Sequence, residues 1–187
     1  MEMENMTTQF RIEKDSLGEV QVPCDALYGV QTVRATQNFP ITHLRTHPAM
    51  IRSLGMIKKA CAMANHECGH LDDERTGYII AACDEIIQGK LDCWFITDVI
   101  QGGAGTSTNM NANEVVANRA AQLAGKALGV YDYIHPNDHV NFGQSTNDVF
   151  PTAGKLTALF LVEDLLEELM LLQEALLDKS IEFNDVI

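Results

Sequence analysis

"VFPTAGKLTALFLVEDLLEELMLLQEALLDKSIEF", residues 149–183, is the stretch on which the architecture turns. Ala158, Val162, Leu165, Leu169, Leu172 and Leu176 step by 4, 3, 4, 3 and 4, the seam of a helix that lies along another helix. Leu159, Leu166, Met170 and Leu177 make a second stripe beside it. A helix with two apolar stripes needs cover on two sides, which a helix bundle or an oligomer of parallel long helices supplies and one small preceding domain does not. Pro151 is expected in the first turn, where its missing N–H costs nothing. The chain stops at Ile187 without a partner helix, so it is expected to be part of a longer polypeptide.

Before this helix, the apolar positions keep a helical period. Met50, Ile51, Leu54, Ile57, Cys61 and Ala64 put one buried face on a helix from Pro48 to about Cys68. Tyr78, Ile79, Ala82, Ile86 and Ile87 do the same from about Leu71 to the stop at Gly89. Val115, Val116, Ala120 and Leu123, closed by Gly125, give a third helix. At the start, Phe10 and Ile12, then Val20 and Val22, alternate around Ser16-Leu17-Gly18, the pattern of a short hairpin. The expected fold is mainly α: an N-terminal helical domain with a short β-hairpin (residues 1–147), then the first long helix of a central helical-bundle domain (148–187). Trp94 and Phe95 read as core.

The 187 residues carry 46% apolar and 21% charged side chains, which suits a folded protein and leaves little room for a disordered tract. A formal charge of -13 repels phosphate backbones, and no basic run exceeds Lys58-Lys59, so nucleic acid is not an expected partner. No run of about 18 apolar residues suggests a membrane span, and "MEMENMTTQF" is polar and acidic where a secretory leader is basic then apolar. Five cysteines without a CxxC pair fit reduced thiols. The expected location is the cytoplasm.

Two segments break the apolar pattern. "QGGAGTSTNMNANEV" (101–115) sets Gly102, Gly103 and Gly105 before Thr106, Ser107 and Thr108 at a helix start. Glycines permit close approach of a ligand, and a helix N-terminus offers unpaired N–H groups and partial positive charge, so this is either an anion cradle or a tight turn capped by Ser or Thr. "NFGQSTNDV" (141–149) repeats the grammar with Gly143, Ser145, Thr146, Asn147 and Asp148, where Asn147 or Asp148 could equally serve as an N-cap. Two such starts could hold a ligand with two carboxylates through neutral donors, which can strengthen toward a developing oxyanion. Neither segment has the lysine of a phosphate-binding P-loop.

"GVYDYIHPNDHVNFGQSTNDVFP" (129–151) reads as a long connection, and such loops are uncommon unless functional. Within it His135, Asn137, Asp138 and His139 form either an acid-base or anion-binding group or an ordinary turn after Pro136. Cys61, His66, Cys68 and His70 lack the spacing of a common zinc module, and His66 near a helix end is explained by the helix dipole. No metal is expected.

"FRIEKDSLGEVQVPCDALYGVQTVRATQNFPI" (10–41), "GGAGTSTNMNANEV" (102–115) and "HPNDHVNFGQSTNDVFPTA" (135–153) resemble the aspartase and fumarase superfamily, in the right order, across nearly all of residues 9–187. The resemblance is to its aspartate ammonia-lyase branch, since fumarases tend to carry Gln-Ser where Ser107-Thr108 stand. It implies reversible elimination of ammonia from L-aspartate to give fumarate, without a cofactor. Thr106, Ser145 and Thr146 would then donate to the β-carboxylate, and Asn147 would help hold the amino side. His135, Asn137 and Asp138 would match a secondary dicarboxylate site of the fumarase branch. The family's serine-rich loop "GSSxMPxKxN", which supplies the base and a lysine, is absent from these residues, as is its Thr-His pair. No catalytic base is therefore assigned within the chain, which alone is expected to be inactive. The resemblance also implies a homotetramer whose long helices form a central bundle and whose subunits share each active site. The alternatives are fumarate hydration and a non-catalytic helical assembly module.

Overall fold

The computed structural model describes residues 9–186. It opens with an antiparallel hairpin, β1 (Phe10–Asp15) and β2 (Gly18–Pro23), in which Arg11 pairs with Val22, Ile12 with Gln21 and Glu13 with Val20. The apolar alternation of β1 is inverted: Phe10 and Ile12 are exposed, while Glu13 is buried. Polar accounting explains the inversion. The Arg11 guanidinium donates to the carbonyls of Pro23, Ala26 and Tyr28 at 2.8, 2.8 and 2.9 Å, satisfying a bend that has no ladder of its own. Glu13 pairs with Arg11 at 2.7 Å and accepts the Val30 N–H at 2.9 Å.

Helix α1 (Val30–Asn38) does not appear in the periodicity, because only Val30 and Thr32 are buried on it. No side chain of its own caps it. Glu114 does so from a distant helix, accepting the N–H groups of Gly29, Gln31 and Thr32 at 2.8, 2.8 and 3.1 Å and the Thr32 hydroxyl at 2.6 Å. Negative charge at the positive end of a helix dipole holds the element in place.

Helices α2 (Pro48–Glu67) and α3 (Asp73–Ile87) lie against each other, and α3 lies against α4 (Thr106–Leu123). Ile51, Leu54, Ile79, Ile86, Val115 and Val116 fill the space between them, with Phe95 beside a short 3-10 turn, Asp92–Trp94. Trp94 itself is only partly buried, at the edge of this core. Helix α4 is the central post, with 12 of its 18 residues buried, and two of its buried asparagines, Asn111 and Asn118, serve as ties. Asn111 bridges the Ile96 N–H and the Trp94 carbonyl at 3.0 Å each, and Asn118 holds the Leu27 carbonyl and the Gly129 N–H at 2.8 Å each.

Helix α5 (Thr146–Glu182) starts three residues earlier than the sequence pattern suggests, and the expected boundary at 147–148 falls in its first turn. Pro151 therefore lies in the second turn, and its missing N–H leaves the Asn147 carbonyl without the usual donor four residues on. Val149 and Ala153 are buried against the domain, and the Thr157 hydroxyl meets Ser53 of α2 at 3.0 Å. From Leu161 to Val186 every residue is exposed. Both apolar stripes stand uncovered, with Leu165 55% and Leu176 62% exposed. Among the described residues no helix is long and apolar enough to cross a membrane.

Candidate functional site

The two polar helix starts adjoin. Gly105 caps α4 in the left-handed region (φ 84°), and a Cβ there would overlap the Phe150 ring of α5. A Cβ on Gly102 would come within 2.9 Å of Phe39. Gly102 and Gly105 thus admit aromatic rings to the backbone.

Gln101, not Ser or Thr, caps α4: its Oε1 accepts the Thr108 N–H at 2.7 Å, and its Nε2 donates to Thr108 Oγ1 at 2.7 Å. Thr108 is thereby buried and committed. Thr106 and Ser107 are left over: among the described residues neither hydroxyl has a hydrogen-bond partner, and both line a recess of about 560 Å³ with Gln31, Arg34 and Asn38 of α1. Leu17, Ala35 and Met110 complete the wall, and since Arg34 is already held by Asp15 at 2.8 and 2.9 Å its polar part is mainly hydroxyls and amides.

At the start of α5, Ser145 is the N-cap, its Oγ accepting the Asn147 N–H at 3.2 Å. The expected caps, Asn147 and Asp148, instead lie in the first turn, because the backbone turns helical at Thr146. Thr146 Oγ1 accepts from Asn109 Nδ2 at 2.9 Å. Thr146 accepts from a buried side chain and Ser145 from its own helix's N–H, and among the described residues neither hydroxyl donates, so each has a proton to give to a carboxylate. Asn147 is exposed beside them. The Asn109 tie, one turn below Thr106, joins the two starts, although Ser145, Thr146 and Asn147 do not line the Thr106 recess.

Behind this wall lies Lys58 of α2, fully buried. Its Nζ donates to Asn141 Oδ1 at 2.9 Å and to Gln144 Oε1 at 2.8 Å, and among the described residues no carboxylate pairs with it. Burial pushes its pKa down to about 7, with the thiols of Cys61 and Cys83 opposing the shift.

His135, Asn137 and Asp138 surround a single π turn, Pro136–Val140, and the local bonding is that of a capped turn: His135 Nδ1 accepts the N–H groups of Asn137 and Asp138 at 3.2 Å each. His135 and Asn137 line a smaller recess of about 160 Å³ that shares Gln31 and Met110 with the first, while the exposed Asp138 carboxylate stands 3.4 Å from His135. His139 turns the other way, its Nδ1 accepting the His135 N–H at 2.8 Å, and burial lowers its pKa. His66 lies 3.2 Å from Asp73, and His70 packs on the Phe142 ring at 4.9 Å, so the cluster from Cys61 to His70 is dispersed.

The model of a family described as "Lyase" matches residues 18–187, and the chain belongs to that family, within the aspartase and fumarase superfamily. An aspartate ammonia-lyase of Bacillus sp. is 56% identical over 97% of this chain and 39% of its own length. A class II fumarate hydratase of Halobacterium salinarum is 51% identical over 97% of this chain and 39% of its own. Among solved structures, a fumarate lyase:delta crystallin from Brucella melitensis, bound to cobalt, superposes with a TM-score of 0.80 at 52% identity, covering 81% of this chain and 34% of that one. The chain thus spans about 39% of the length of the curated relatives it matches.

The residues that periodicity missed are Lys58, Asn109 and Glu114. Lys58 had a visible signal, a cation in the stripe Ile51, Leu54, Ala62. Asn109 and Glu114 had none, because their partners come from other elements.

Proposed function

We propose that this chain supplies one wall of the active site of an aspartate ammonia-lyase, binding the β-carboxylate of L-aspartate through Thr106, Ser145 and Thr146, with Asn147 toward the amino group. The observation that carries this reading is the pair of hydroxyls at the start of α5, whose oxygens accept from Asn109 Nδ2 and from the Asn147 N–H and which, among the described residues, donate to no other group. In the reaction a base removes a proton from Cβ, the Cα–N bond breaks, ammonia leaves and fumarate forms. Proton removal loads extra negative charge on the β-carboxylate, and fixed neutral donors stabilise that charge more than they stabilise the ground state. None of these 187 residues is assigned the base. The same reading has α5 covered in a homotetramer in the cytoplasm, and gives His135, Asn137 and Asp138 a secondary dicarboxylate site.

Fumarate formation from L-aspartate, followed by absorbance, tests it. The 187 residues alone are expected to show no turnover; measurable turnover removes the need for residues outside them. In the complete polypeptide, Thr146→Ala is expected to cut turnover about 100-fold, the size of losing one oxyanion donor. Near-normal turnover takes Thr146 out of the site. The second reading, fumarate hydration, is favoured by the 51% identity to a class II fumarate hydratase. Of the pair that separates the branches by resemblance, only Ser107 reaches the recess, Thr108 being buried. Comparing ammonia with water addition to fumarate decides between the two.

A further inference from the structure

We propose that Lys58 is a positioning residue that fixes the direction of the Thr146 hydroxyl, acting through Asn141 and Asn109. The proposal rests on the reading of Thr146 as a carboxylate donor. Lys58 carries hydrogens and no acceptor when charged, and even when neutral has enough N–H bonds for both of its neighbours. It therefore dictates that Asn141 and Gln144 turn their oxygens toward Nζ, at 2.9 and 2.8 Å. Their amide nitrogens are spent elsewhere: Asn141 Nδ2 donates to the Gln144 carbonyl at 3.3 Å and Gln144 Nε2 to the Val140 carbonyl at 2.8 Å.

With Asn141 Oδ1 fixed, Asn109 has one workable orientation. Its Nδ2 donates both to Asn141 Oδ1 at 3.2 Å and to Thr146 Oγ1 at 2.9 Å. The flipped amide would set two carbonyl oxygens 3.2 Å apart. The orientation is kept although, among the described residues, it leaves Asn109 Oδ1 buried without a partner in a residue only 2% exposed. A buried unpaired carbonyl is costly, so its neighbours hold the amide: the Lys58 ammonium can only donate, and together with the longer bond from Asn141 Nδ2 to the Gln144 carbonyl it keeps Asn141 Oδ1 as an acceptor. The Thr146 oxygen is thereby an acceptor on its inner side, and its proton has only the outer side left. Without Lys58, Asn141 keeps only its 3.3 Å bond to the Gln144 carbonyl, and once the two amides turn Thr146 can donate inward to Asn109.

The test is a double-substitution cycle in the complete, active polypeptide, reading kcat/KM for L-aspartate. Thr146→Val removes the hydroxyl at constant shape, with an expected loss of about 100-fold. Lys58→Met is expected to lose at least about 10-fold alone, yet to change kcat/KM by less than about 2-fold when added to Thr146→Val. A purely structural role predicts the same loss in both backgrounds, and that result overturns the proposal. If Lys58→Met does not fold by circular dichroism, Asn109→Asp takes its place in the cycle. It replaces the inward donor by an acceptor at nearly constant volume, and is expected to match Thr146→Val without adding to it; full activity or an additive loss overturns the proposal. Thr146→Val with undiminished kcat/KM overturns the site reading itself, whereas an effect of Thr146→Val with additive Lys58→Met and Asn109→Asp overturns the Lys58 role alone.

Discussion

Helices α4 and α5 begin with the same kinds of residue, glycine then hydroxyls then asparagine, and are built in opposite ways. The start of α4 is capped from behind by Gln101 and wedged against Phe150, which leaves Thr106 and Ser107 unengaged in a recess. The start of α5 is capped by its own Ser145, and its Thr146 is held from inside by Asn109. Rigid packing positions the first pair; a hydrogen-bond chain ending on a buried cation positions the second. Similar composition at a helix start thus says that polar atoms will be presented there, and the neighbours decide how they are aimed.

The largest stability effect is expected on the packed side of that comparison. Gly105→Ala must place a Cβ in the left-handed region and into the Phe150 ring, costs that together come to about 3 kcal/mol. Equilibrium denaturation measures it, and a loss below about 1 kcal/mol shows that the contact yields.

On the hydrogen-bonded side the expected signature is a pH dependence. Burial lowers the Lys58 pKa from 10.5 to about 7 in the folded chain, so between these values the unfolded chain binds more protons. Stability then rises with pH through that window, by up to roughly 1 kcal/mol per pH unit. Below about 7 both states hold the proton and the dependence on Lys58 vanishes. Cys83, whose thiol burial pushes up to about 12 from 9.0, works in the opposite direction only above about 9. Denaturation midpoints at pH 7–9 isolate the lysine, and Lys58→Met should flatten the slope; an unchanged slope assigns it to another group.

A smaller effect tests the cap of α4. Gln101→Ala frees the Thr108 N–H, leaves the Thr108 hydroxyl only Thr97 at 3.1 Å, and is expected to cost about 1–2 kcal/mol, in the range of other lost N-caps. A cost near zero would show that water replaces Gln101 without penalty.

These features differ in how far the sequence disclosed them. Helices α2, α3 and α5 were legible because each carries an apolar stripe of helical period. Helix α1 was not, since its stabilising charge is Glu114 of α4 and it buries only two residues. The hairpin was legible and its facing was not: the Arg11 and Glu13 network outbids Phe10 and Ile12 for the inner side. In the candidate site, Thr106, Ser145 and Thr146 stood out as hydroxyls at helix starts. Which lone pair or proton each presents depends on Gln101, Asn109 and Lys58, whose contacts no local pattern encodes.

The smallest expected effect is also the control that gives the first its meaning. Gly143, ahead of α5, has a φ of 69°, close to the left-handed geometry of Gly105, but the nearest atom to an added Cβ is Asn65 Oδ1, 3.9 Å away. Gly143→Ala therefore bears only the backbone cost of the left-handed region, about 1 kcal/mol. Subtracting it from Gly105→Ala leaves the price of pushing Phe150 aside, measured in the same protein by the same denaturation. Equal losses at the two glycines would mean that Phe150 moves freely and that the starts of α4 and α5 are held together by the Asn109–Thr146 hydrogen bond alone.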